Sequence, residues 1–109
     1  MKITGSFETR EVWVNGKPLD PGPSLRVWCH SPSGFNWGYE GSGPAQLALA
    51  ILLLVTNNDI AARLHQDFKR EVIARLPQTD FEIRIDPKHW LLQRFNVLSL
   101  RRPQEVRRG

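Results

Sequence analysis

Between Gly34 and Gly43 the chain reads Gly-Phe-Asn-Trp-Gly-Tyr-Glu-Gly-Ser-Gly, and Pro44 with a long apolar run follows at once. Several residues here have the chemical types that sites are made of. Gly38 and Gly43 carry the G-x-x-x-x-G spacing of a phosphate-cradling loop and precede a helix start, where anions are favoured. The Lys and Ser/Thr that would complete such a loop are replaced by Pro44 and Ala45, and a proline removes one of the backbone donors the loop needs. Gly41-Ser42-Gly43 lacks the third glycine of a dinucleotide fingerprint. Ser42 sits between two glycines, but its flanks do not match a nucleophile elbow. Glu40 is the carboxylate beside aromatics and a helix start, a setting that can perturb an acid; pairing with a nearby Arg is the plainer reading. Cys29 and His30 are adjacent in an expected strand, so their side chains point to opposite faces. His65 and His89 stand alone, without partners at metal-ligand spacing. The histidines therefore read as packing or surface groups. No catalytic residue, metal or cofactor is expected, and the chain reads as non-enzymatic.

What remains in the stretch is recognition or packing. Phe35, Trp37 and Tyr39 recur every second residue and fall on one face of an extended segment. Packed over the following helix, they would be structural, with Gln46 satisfying backbone groups of the loop. Exposed, Trp37 or Tyr39 would be an anchor for a protein partner or an unpaired base. The candidate binding set is Phe35, Trp37, Tyr39, Glu40, Gly41, Ser42, Gly43 and Gln46.

The elements that must position this turn can be read from the pattern. Ile3 to Val14 reads as a strand, and Asn15-Gly16 is a two-residue hairpin signal. The return is short, because Pro18 and Pro21-Gly22-Pro23 stop regular pairing. Leu25 to Cys29 reads as another strand, followed by a type I turn at Ser31-Pro32-Ser33-Gly34. Gly43 is the expected N-cap and Pro44 the first residue of a helix through Val55. That helix is apolar nearly all round and belongs at the centre. Asn57-Asn58-Asp59 ends it and caps a second helix, Ile60 to Leu76, whose stripe is Ile60, Leu64, Phe68 and Val72 with Ala61 and Ile73 beside it. Phe81, Ile83 and Ile85 alternate as a half-buried strand. Asp86-Pro87 then starts a short helix, Lys88 to Phe95, expected to bury Trp90, Leu91 and Phe95. The sum is an α+β domain: a small, mostly antiparallel sheet, made of the N-terminal hairpin plus two further strands, packed on two helices with a short C-terminal helix.

Bulk properties narrow the class. A chain of 109 residues suits one domain with one modest core, expected over residues 1–100 with a flexible basic tail at 101–109. A single cysteine, Cys29, excludes an intrachain disulfide framework and a cysteine-rich zinc site. The start lacks the apolar core of a secretory signal, and the apolar block from Ala45 to Val55 is well short of the ~20 residues that span a bilayer. Together these point to the cytoplasm and away from membranes. The net charge of +4 is uneven: residues 1–83 hold eight Lys/Arg against nine Asp/Glu, and residues 84–109 hold seven against two. Arg94, Arg101, Arg102, Arg107 and Arg108 form a basic patch able to attract phosphates or acidic proteins, or simply to keep the chain in solution.

The run from His30 to Ala50, together with Val12-Trp13-Val14-Asn15-Gly16-Lys17-Pro18-Leu19 and Phe68-Lys69, resembles the signature of a family of small proteins of unknown function. That family occurs in bacteria, phages and mobile elements. Its pattern is a hairpin, then SPxGFxWGYxGSGPAQLALALL, then a helix bearing FK, and the likeness spans roughly residues 10 to 86. The resemblance implies a domain type and a mobile-element setting, and no activity. Two functions follow as expectations. The first is a protein-interaction module of a phage or mobile element acting on a host or element protein, inhibition of a host defence nuclease being one example. The alternative is a nucleic-acid-binding accessory protein gripping through its basic C-terminal region.

Overall fold

A computed structural model describes residues 1–95; the basic residues Arg101, Arg102, Arg107 and Arg108, and with them the expected tail, lie outside the described residues. The fold is α+β. Four antiparallel strands, β1 (Lys2–Gly5), β2 (Val12–Val14), β3 (Lys17–Pro18) and β4 (Phe81–Arg84), form one sheet in the order β3-β2-β1-β4. Three helices, α1 (Gly22–Val27), α2 (Ser42–Leu53) and α3 (Asn58–Glu71), lie between β3 and β4 in the chain, and a 3-10 turn (Ile73–Arg75) follows α3. A further helix, α4, covers 87–95.

The hairpin at Asn15-Gly16 forms as its sequence demands. Val14 faces Lys17, and both turn residues have positive φ, 51° and 81°. That is the I′ geometry matching the twist of the flanking strands. The expected single strand from Ile3 to Val14 is instead two strands. Ser6 to Glu11 folds into a turn held by Arg10 N–H to Ser6 O (2.7 Å) and Phe7 N–H to the Asp80 carboxylate (2.7 Å). β1 thereby becomes a central strand, paired with β2 on one side and β4 on the other.

The second correction concerns Leu25 to Cys29. Residues Gly22 to Val27 are helical, and only Trp28 returns to extended angles. Three alternating apolar residues cannot distinguish strand from a short helix, and local chemistry decides. Asp20 accepts from Gly22 N–H, Pro23 fits the first turn, and Ser24 Oγ donates to Pro21 O.

Helix α2 starts two residues before the expected Pro44. Gly41 is the N-cap, with extended φ and ψ, and its carbonyl accepts from Ala45 N–H at 3.1 Å. Pro44 becomes the third helical residue, where the missing N–H still costs nothing. The helix is buried without interruption from Gly43 to Leu52, as a helix apolar on every side must be. Helix α3 is capped by the Asn57 side chain, which accepts from Ile60 N–H at 2.9 Å. It ends at Glu71 rather than Leu76, because Val72 leaves helical angles (φ −123°) and the chain tightens into the 3-10 turn. Helix α4 is capped by Asp86, whose carboxylate accepts from His89 N–H at 3.1 Å. It buries Leu91 and sets Trp90 edge-on to Phe68 (5.0 Å), while Phe95 is exposed, contrary to expectation.

Candidate functional site

The aromatic turn divides at Gly38. Its first half is core. Phe35 is buried, and Trp37 is 0% exposed, edge-on to Phe81 (4.8 Å) and Phe7 (5.9 Å), with its indole N–H donating to Thr79 O at 2.9 Å. A buried tryptophan needs that last contact. Gly38 has a φ of 85°, and its N–H donates to Ile73 O. A Cβ there would come within 2.7 Å of Gln78 Cγ and 3.0 Å of Leu76 O. Glycine is therefore required both by angle and by space.

Beneath the turn, Gln46 is wholly buried and uses every polar capacity of its amide. Its Oε1 accepts from His30 N–H (2.7 Å) and Ser31 N–H (3.1 Å); its Nε2 donates to Ser24 Oγ (2.9 Å) and Trp28 O (3.1 Å). One side chain of α2 thus ties down the irregular segment 28–31 and the start of α1. Backbone groups that enter the interior without a ladder need such a partner.

What Gln46 holds in place is a surface row. Trp28 is 50% exposed and stacks on the His30 ring (4.7 Å, 24°). His30 Nε2 lies 2.8 Å from Nε2 of His65, a fully buried residue of α3. The roles follow from the other nitrogen. His65 Nδ1 faces the carbonyls of Ala62 (2.7 Å) and Ala61 (3.2 Å), so it carries the proton. His65 Nε2 then accepts, and His30 Nε2–H donates. Burial pushes the His30 pKa below the ordinary imidazole value, and the neighbouring His65 and Lys69 add to this. Burial also lowers His65; its bonds to Ala62 and Ala61 oppose the shift, and Lys69 reinforces it. The pair is neutral at pH 7.

One turn further along α3, Lys69, with its side chain 13% exposed, pairs with Glu40 at 3.4 Å. Next to Glu40, Tyr39 is 41% exposed and lays its ring against the backbone of Gly41. Trp28 and the histidine pair are in contact, Lys69 lies one turn beyond His65 on α3, and its partner Glu40 is the chain neighbour of Tyr39, so the series has an exposed aromatic at each end. Ionic chemistry inside the row is already satisfied, and among the described residues no group of three His, Cys, Asp or Glu could hold a metal ion.

The sequence-named residues thus part company. Phe35, Trp37, Gly43 and Gln46 are buried, Tyr39 and Glu40 belong to the surface row, and Gly41 and Ser42 start α2. Arg94 pairs with Glu71 and lies over Trp90 (5.0 Å) rather than standing free. Trp28, His30, His65 and Lys69 were not among the candidates. One signal was present: His65 lies four residues after Ala61 and three before Phe68, on the buried stripe of α3.

With this geometry in view, a family model describing a family of unknown function, DUF6166, matches residues 3–100. The chain belongs to that family. The match is wider than the signature, taking in β1, β4 and α4 as well as the aromatic turn. No curated protein and no solved structure matches the chain. No helix among the described residues of this DUF6166 protein is long and apolar enough to cross a membrane.

Proposed function

We propose that this DUF6166 protein is a non-enzymatic protein-binding module of a phage or mobile element, and that the row from Trp28 to Tyr39 is its contact face. The observation that carries this reading is the state of Trp28. It is half exposed, yet its ring is fixed by stacking on His30, which is itself locked to a fully buried histidine. A rigid, exposed aromatic loses little conformational freedom on binding, and such residues dominate interface energetics. Tyr39 supplies a second exposed aromatic, its ring close to Gly41, and the Lys69–Glu40 pair beside it supplies polar groups of both signs. The neutrality of the histidine pair and the engagement of Lys69 and Arg94 with carboxylates favour a protein over a polyanion. The partner is a host or element protein, with a defence enzyme as one candidate.

The test compares affinity capture by the wild type, Trp28→Ala, Tyr39→Ala and a control, Lys17→Ala, with fluorescence anisotropy on DNA and RNA at low and moderate salt. The reading expects one protein, retained by the control and lost from both aromatic variants. Binding to nucleic acid that falls steeply with salt, with no protein dependent on Trp28 or Tyr39, would overturn it in favour of a nucleic-acid accessory role.

A further inference from the structure

On the opposite flank of the aromatic turn, a residue is held where its type does not belong. Arg10 closes the turn between β1 and β2 with φ at 64°. Hairpin turns fill such left-handed positions with Gly or Asn, because a Cβ is strained there. Strain that persists in a non-glycine residue points to a use for its side chain. The Arg10 guanidinium is immobilised on several sides. It lies 3.6 Å over the Phe7 ring, 6.0 Å from Trp37, and its Nε–H donates to Asn36 Oδ1 at 3.1 Å. That same Asn36 oxygen accepts from Trp37 N–H, so the anchor is tied to the core. Arg10 takes part in none of the ion pairs among the described residues. Arg10 also lines a cleft of about 200 Å³ between the β1–β2 turn, the hairpin and the start of the aromatic turn, with Pro18, Leu19 and Pro21 as apolar walls and Glu11 as a second charge.

We propose that this cleft is a carboxylate-binding site, in which Arg10 receives an acidic side chain of a peptide while a neighbouring apolar side chain of the same peptide packs on Pro18, Leu19 and Pro21. A guanidinium anchored through Nε keeps both Nη groups as a planar fork, the geometry that pairs with a carboxylate. Glu11 in the same cleft opposes a dianion, which favours a singly charged carboxylate over phosphate. The site is separate from the Trp28–Tyr39 row and stands whether or not that row binds a protein.

The test is a nuclear magnetic resonance titration of the full chain with acetyl-Leu-Glu-Leu-amide, acetyl-Leu-Gln-Leu-amide and inorganic phosphate, each to about 10 mM, the weak end of specific recognition. The expected result is saturable shifts at Arg10 Hε, Leu19 and Gly34 with the Glu peptide, at least about tenfold weaker with the Gln peptide and with phosphate. Arg10→Gly and Arg10→Asn relieve the backbone, so both should fold with a Tm no lower than the wild type and lose the response. Equal response to the Glu and Gln peptides, or none to either, overturns the proposal. So does a phosphate response stronger than that of the Glu peptide. A fall in Tm of several degrees in both variants would also overturn it, since Arg10 would then be kept for packing.

Discussion

Trp37 and Trp28 are both tryptophans anchored by ring contacts, yet one is sealed and the other is half in water. Trp37 ends in the interior, with its N–H on Thr79 and Phe7 and Phe81 against its faces. Trp28 rests on a histidine pair and presents the rest of its surface outward. The difference shows two separate anchors: the buried half of the aromatic turn packs into the core, while Gln46 of the central helix fixes the segment that carries Trp28 and His30, a surface that then needs no flexibility of its own. The second anchor consists of four named hydrogen bonds from one amide.

The contrast can be broken first at its buried end. Trp37→Ala removes the largest sealed side chain and leaves Thr79 O unpaired, so it should cost about 3–5 kcal/mol and leave the protein largely unfolded by urea titration. A variant that stays near wild-type stability would show that the turn is not core. Next comes Gln46→Leu, which keeps the volume but strips partners from Ser24, Trp28, His30 and Ser31. A loss of about 3 kcal/mol is expected, the scale for a few polar groups left unpaired in the interior. Hydrogen exchange should rise at His30 and Ser31 before it rises in α2.

The histidine pair sharpens the comparison through pH. Both imidazoles titrate below the ordinary value near 6.5 when folded and at that value when unfolded. Below about pH 6.5 the unfolded chain therefore binds more protons, and stability falls as pH drops until the lowered folded values are passed. Above pH 7 the two histidines contribute no slope. Double protonation would also set two N–H groups facing each other across 2.8 Å, so Trp28 fluorescence should change over the same acidic range. In His65→Gln the slope between pH 6.5 and the carboxylate range should flatten; an unchanged slope would place its origin elsewhere.

The two regions were not equally legible in the sequence. The hairpin at Asn15-Gly16, the central apolar helix and the Asn57 and Asp86 caps are local signals, and each formed where its residues stand. The strand expected from Leu25 to Cys29 failed because three alternating apolar residues are too few to outweigh a Pro-Gly-Pro-Ser start. The turn within Ile3–Val14 was hidden because its closing contact, Phe7 to Asp80, spans most of the chain. The same limit hid the surface row. His30 and His65 are 35 residues apart and meet only once α3 lies along α2, and each alone looks like an isolated histidine. The aromatic turn was visible as unusual, but alternation put its three rings on one face, whereas the positive φ of Gly38 turns Tyr39 away from Trp37.

Both ends of the comparison meet in one measurement: urea stability and partner retention of Trp28→Ala, read side by side with the wild type. Trp28→Ala should change stability by about 1 kcal/mol or less, as for a surface side chain, and abolish capture of a protein partner. A variant that keeps its partner, or one that unfolds as Trp37→Ala does, would contradict the division of the molecule into a buried half that holds the fold and an exposed row that binds.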